Sequence, residues 1–156
     1  MGIIAPATVG AGVLSKVAPS AVSQLSNAGT RTGLFSKALI AAGKQTIGQK
    51  AHHIVELTDR MAAAARAQLA KFGIGLNSVE NGIGLTNHAG RHTNLYSRMV
   101  AQELGLAKTK KQVEAVLDRV SKEMSKVDSE ISSGARSEKS AADGWAHDVD
   151  SGRTKF

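Results

Sequence analysis

The most regular alternation of apolar and polar positions lies towards the C-terminal end. There Val113, Val116, Leu117, Val120, Met124, Val127 and Ile131 recur at helical spacing. Thr109-Lys110-Lys111-Gln112 stands ahead of this run and resembles a capping box, and Gly134 closes it. A helix of about 22 residues follows from the stripe and its two end signals. Its apolar face calls for burial against the rest of the domain. A second helix is predicted over residues 58–72, with Thr58 as cap, an Ala-rich body and Gly73 as stop. A third runs from about His92 to Leu104, with Leu95, Met99 and Val100 on one face and Gly105 at its end. Between the last two, Gly73, Gly75, Gly82 and Gly84 alternate with apolar residues. Asn81-Gly82 marks a change of direction and Ile83–Thr86 a short strand.

The flanks are less patterned. Residues 1–48 are dominated by Gly, Ala, Ser and Thr, with a short helix expected only over Ser36–Ala42. We read them as a linker or arm, or the end of a larger parent protein. Residues 135–156 read as a polar tail with Trp145 as a local anchor. The organised domain is therefore expected over residues 49–134.

Composition narrows the chemistry. The 156 residues fit one domain, and with three Phe, one Trp and one Tyr the core must be built from Leu, Ile, Val and Ala. Cysteine is absent, which excludes disulfides, thiolate metal sites and cysteine nucleophiles. The net charge is +7, and residues 1–105 carry ten Lys/Arg against four Asp/Glu. That excess suits a polyanionic partner, because neutralising phosphates releases condensed counterions. No apolar run reaches the roughly 20 residues of a membrane span, so no membrane association is expected. Met1–Ser20 lack a charged leading segment, so no classical signal peptide is expected.

Four of the five histidines fall within residues 52–92: the doublet His52-His53, then His88 and His92 four apart. On a helix the latter pair would share one face and grip one cation, although Gly90 between them allows His88 to sit in a turn before the helix. The zinc-protease pattern needs Glu after the first histidine, and Ala89 stands there. His52 can supply a third ligand from an extended segment. On extended backbone successive side chains alternate, so His52 would face a metal and His53 solvent and substrate. One imidazole holding a cation beside another that deprotonates water is the pattern of a metal-assisted hydrolase.

Ala51-His52-His53-Ile54-Val55, Asn77-Ser78-Val79-Glu80-Asn81-Gly82-Ile83-Gly84-Leu85 and His88-Ala89-Gly90-Arg91-His92, with Tyr96 four further on, follow one another in order. This text, over about residues 50–104, resembles the AHH family of the HNH (His-Me finger) nuclease superfamily. Thr86 stands where members often carry proline. The resemblance implies a ββα-metal core, two short antiparallel strands and a helix around one divalent cation. The whole fold would then be mainly α with a small β-hairpin and additional helices. It further implies that His52, His92 and His88 are metal ligands, that His53 is the general base, and that Asn81 orients that base or fixes the loop beside it. Arg91 and Lys50 are candidates for phosphate contacts on their charge alone.

The expected function is a metal-dependent endonuclease hydrolysing DNA phosphodiester bonds, with activity falling below about pH 6 as the imidazoles protonate. Mg²⁺ is the default cation because the substrate brings oxygen ligands. Zn²⁺, Ni²⁺ or Mn²⁺ would also suit imidazoles. RNA is the alternative polymer, and a non-catalytic zinc-stabilised nucleic-acid-binding module the alternative class. Many AHH domains are C-terminal toxins of bacterial polymorphic systems. The resemblance therefore also implies a delivered effector acting in the target-cell cytoplasm, a larger delivery protein or secretion machinery, and an acidic immunity protein as partner.

Overall fold

The computed structural model describes residues 28–137. The expectations for residues 1–27, for most of the polar tail and for Trp145 lie outside them. Two strands form the centre. Strand β1 (Lys50–His53) and strand β2 (Gly82–Leu85) pair antiparallel, with Lys50 opposite Leu85, Ala51 opposite Gly84, His52 opposite Ile83 and His53 opposite Gly82. Directly opposed residues share a face, so the register sorts the hairpin into two chemically different sides. His52 and Ile83 lie on one side. Ala51, His53, Gly82 and Gly84 lie on the other.

The glycine side receives helix α1 (Ala28–Ala41). Phe35 and Leu39, four apart and buried, press onto it. A Cβ on Gly82 would lie 2.4 Å from Phe35 Cζ and 2.7 Å from Leu39 Cδ2, and one on Gly84 would lie 2.7 Å from Gln45 Cα. Only hydrogen at these positions lets the helix and the turn after it approach so closely. The backbone of that turn joins the sheet edge, with Gly84 N–H donating to Lys44 O at 2.7 Å. The stretch read as a linker up to residue 48 is thus part of the domain from α1 onward. Its weak periodicity follows from a helix that needs only two large side chains, because the hairpin offers it a flat, glycine-lined face.

The other side of the hairpin faces the main core. Ile83 and Leu85 share one core cluster with Tyr96, Val100 and Leu104 of helix α3 (Asn94–Leu106), and with Val113, Val116, Leu117, Val120, Met124 and Val127 of helix α4 (Lys110–Ser132). Helix α2 (Ala63–Lys71), inserted between the strands, adds Ala65 and Leu69. The stripe and the capping box of α4 are as the sequence predicts: Thr109 Oγ1 accepts from Gln112 N–H at 3.2 Å, and the Gln112 side chain reaches back.

Two end signals were misread. The helix after β1 starts with a 3₁₀ turn (Arg60–Ala62) capped by Asp59, whose Oδ1 accepts from Met61 N–H at 2.9 Å. Thr58 instead donates its hydroxyl to Glu56 Oε1 at 3.0 Å. Helix α3 starts two residues after His92, capped by Thr93, and passes through Gly105 to Leu106. Its fully buried face carries Tyr96, Ser97, Val100 and Leu104, with Leu95 and Met99 only half-buried. Among the described residues no helix is long and apolar enough to cross a membrane.

Candidate active site

The alternation of β1 divides the histidine doublet between the two sides of the hairpin. His52 goes to the core side, where its ring stacks on His92 with centroids 4.3 Å apart and planes 21° from parallel. His53 goes to the α1 side, where its ring stacks on Phe35 at 4.2 Å and 7°. His92 sits in the short segment before α3, so it reaches β1 without being on a helix. Its Nε2 lies 2.7 Å from His53 O. A carbonyl can only accept, so Nε2 carries the hydrogen and a neutral His92 keeps its lone pair on Nδ1.

Burial makes these imidazoles neutral. Desolvation, with the neighbouring cation-forming rings of His92, His53 and His88 adding to it, pushes His52 down to about 2. Desolvation also lowers His92, partly offset by its bond to the His53 carbonyl and by Glu56 and Asp59. His52 is 6% exposed, and its Nε2 is buried without any hydrogen-bond partner among the described residues. A buried ring nitrogen without a hydrogen-bond partner, beside a second neutral imidazole, is a donor set suited to a divalent cation. The third expected ligand is not gathered with them. His88 stands exposed in the turn that Gly90 makes possible with φ +65°. Among the described residues no group of three or more His, Asp or Glu side chains is assembled around one point.

His53 is tethered from its far nitrogen. Its Nε2 lies 2.8 Å from Asn77 Oδ1, and an amide oxygen accepts, so the neutral ring has its lone pair on Nδ1. Desolvation lowers its pKa, against the Asn77 bond, which raises it. An imidazole held neutral, with one nitrogen fixed and the other open, can take a proton.

No hydrogen bond joins the Asn81 side chain to the His53 ring. Its side chain is fully buried, with Oδ1 accepting from Val55 N–H at 2.8 Å and Nδ2 donating to Leu76 O at 2.9 Å and Val55 O at 3.3 Å. Together with Ile54 N–H donating to Asn81 O at 2.9 Å, this ties the chain leaving β1 to the chain entering β2. Asn81 therefore fixes the loop, and the contact to the candidate base comes from Asn77. Tyr96 packs at 5.4 Å from His92 and donates to Ile54 O at 2.6 Å, supporting the same strand end. Arg91 is 6% exposed, and its Nε donates to Asn87 O at 2.6 Å. Arg91 is therefore buried at the base of its loop, whereas Lys50 is exposed at the start of β1. Glu56 accepts from the backbone N–H groups of Thr58 and Asp59 and is occupied in shaping that turn.

Sequence reasoning passed over three residues. Asn77 lay within the quoted motif but carried no distinguishing spacing. Phe35 had no signal, since its role depends on a contact 18 positions away. Asp128 did have one: it lies four residues after Met124, on the apolar stripe of α4, where an acid needs a reason.

A two-stranded antiparallel hairpin backed by a helix, with imidazoles on the first strand and on the segment entering the helix, defines a small ββα nuclease domain. The chain belongs to the AHH family, a nuclease family of the HNH/ENDO VII superfamily with conserved AHH, whose profile matches residues 37–140. Neither a curated protein nor a solved structure matches the chain. The family makes the protein a nuclease acting on nucleic acid, in a superfamily whose members generally use a divalent metal. The match spans two thirds of the chain and begins inside α1, twelve residues before the expected boundary at residue 49.

Proposed function

We propose that the protein is a divalent-metal-dependent endonuclease that hydrolyses DNA, with His53 as general base. The observation that carries this reading is the division of the doublet. His53 is neutral and tethered through Nε2, while His52 across the strand offers an unpartnered buried Nε2 to a site shared with His92. His52 and His92 would hold the cation, and His88 would join them from its exposed turn. When bound, the cation supplies positive charge that stabilises the developing charge on the phosphate and the leaving 3′ oxygen.

The chain's own residues do the rest. Asn77 keeps the His53 ring from turning, and Phe35 holds its plane. Nδ1 of His53 then takes a proton from the water that attacks phosphorus in line. Lys50, exposed on the same strand, neutralises a neighbouring phosphate. Mg²⁺ is the working cation, with Mn²⁺, Zn²⁺ and Ni²⁺ as substitutes in purified protein.

The biological role proposed is that of a bacterial toxin or effector domain, delivered by a larger protein or secretion machinery into the cytoplasm of a target cell. A cognate immunity protein with an acidic face would block it, which the net charge of +7 supports. Plasmid nicking by the wild type and His53→Ala with Mg²⁺, Mn²⁺, Zn²⁺ or EDTA tests the chemistry. The reading requires nicking that EDTA abolishes and that His53→Ala lacks while still folding and binding metal. Cleavage of folded RNA in preference to plasmid would replace DNA by RNA as the substrate.

A further inference from the structure

The loop carrying His88 and His92 is thinly supported by packing, since His88, Ala89 and Gly90 are all exposed. What holds it is polar. Asp128 of α4 is 7% exposed, and its carboxylate receives consecutive backbone donors from the chain leaving β2: Thr86 N–H on Oδ2 at 3.0 Å and Asn87 N–H on Oδ1 at 2.7 Å. Asn87 is then held by its side chain. Its Nδ2 lies 3.1 Å from Asp128 Oδ1, 3.3 Å from Asp128 O and 2.9 Å from Ser132 Oγ. The Asn87 carbonyl in turn accepts from Arg91 Nε at 2.6 Å, which closes the loop back onto the residue before His92.

We propose that Asp128 is a positioning residue for cation binding: it anchors the base of the His88–His92 loop to α4, so the affinity of the hairpin site depends on a carboxylate more than 35 residues away in the chain. The inference rests on the reading of His52, His92 and His88 as ligands. A carboxylate suits the task because two adjacent N–H groups point at it and each needs its own acceptor oxygen. A residue that merely filled the α4 stripe would be apolar, as its neighbours are. An anchor is needed here because a ligand on an untethered turn loses conformational freedom each time it binds a cation, and affinity falls by that cost.

Co²⁺ titration, followed by its visible d–d absorption, tests this on the full chain. Asp128→Ala should weaken Co²⁺ binding roughly 10–100-fold and change the band shape, in the range seen when groups supporting metal ligands are lost. Asp128→Asn keeps one acceptor oxygen but turns an amide donor towards the second N–H, so its affinity should fall between. Folding of each variant is checked by circular dichroism without metal. Wild-type affinity and spectrum in folded Asp128→Ala would overturn the proposal. If that variant does not fold, Asp128→Asn carries the test, because it disturbs only one of the two backbone bonds to the side chain; wild-type Co²⁺ affinity and spectrum in folded Asp128→Asn overturn the proposal equally. A wild type whose Co²⁺ binding is absent, or is unaffected by His52→Ala, removes the ligand reading itself and the anchor with it.

Discussion

Replacing Asn81 by alanine separates a scaffold role from a catalytic one. The side chain makes three hydrogen bonds in a fully buried place: one accepted from Val55 N–H and two donated to the carbonyls of Leu76 and Val55. Alanine leaves the Val55 N–H without that acceptor, which costs about 1–3 kcal/mol, and each donated bond adds about 1 kcal/mol. The expected loss is therefore about 3–4 kcal/mol, the longer 3.3 Å bond contributing least. For a domain of this size that lowers the melting temperature by roughly 10–15 °C. Thermal and urea denaturation by far-UV circular dichroism, both in EDTA, measure it without interference from metal binding. Well below the variant's transition, the folded molecules should retain most of their nicking activity, because the His53 ring is tethered by Asn77 and not by Asn81. A drop in melting temperature below about 3 °C, combined with lost activity, would make Asn81 a participant in the chemistry and not a scaffold residue.

Four further outcomes are expected. His53→Ala should lower kcat about 10²–10⁴-fold, the usual range for a general base, with its melting temperature near that of the wild type; a drop under tenfold would assign the proton to another group. Asn77→Ala removes one exposed hydrogen bond and should lower kcat several-fold at unchanged KM, about 1 kcal/mol; a rise in KM alone would make Asn77 a substrate contact instead. Gly82→Ala drives a methyl into Phe35 and Leu39 and should cost about 1–3 kcal/mol, and less when added to a Phe35→Ala background than to the wild type; an unaffected single variant would mean α1 does not sit where it is described. In EDTA the fold should weaken as pH falls. His52 is pushed down to about 2 when folded and titrates near 6.5 when unfolded, so below 6.5 the unfolded chain binds the extra proton. The contribution is fully present above 6.5 and is lost by about 1.4 kcal/mol per pH unit below it; a denaturant midpoint flat between pH 7 and 5 would contradict the burial of that ring.

How much the sequence disclosed varies with how local the cause is. The α4 stripe, its capping box and the stops at Gly73 and Gly134 are readable because helix periodicity and end signals act within a few residues. The separation of His52 from His53 follows from strand alternation alone once the doublet is extended. The motif text around residues 51–92 identified the family, and with it the ββα core. The Thr58 cap was misread because Glu56 competes for that hydroxyl, and the Gly105 stop because Gln68 of α2 satisfies the α3 end from outside, donating to Leu104 O and Ala107 O at 2.9 Å each.

Composition and order narrowed the chemistry to that of a nuclease: no thiol, an imidazole doublet, a basic first two thirds, and short motifs in a fixed succession. Which partner each of those side chains meets was decided only when distant segments came together. Phe35 reaches His53 because two glycines in β2 leave room for a helix, Asn77 reaches it across an inserted helix, and Asp128 reaches the loop from the far end of α4. Contacts of that kind carry no periodic signature, because they are fixed by the packing of elements against one another and not by the spacing of residues within any one of them.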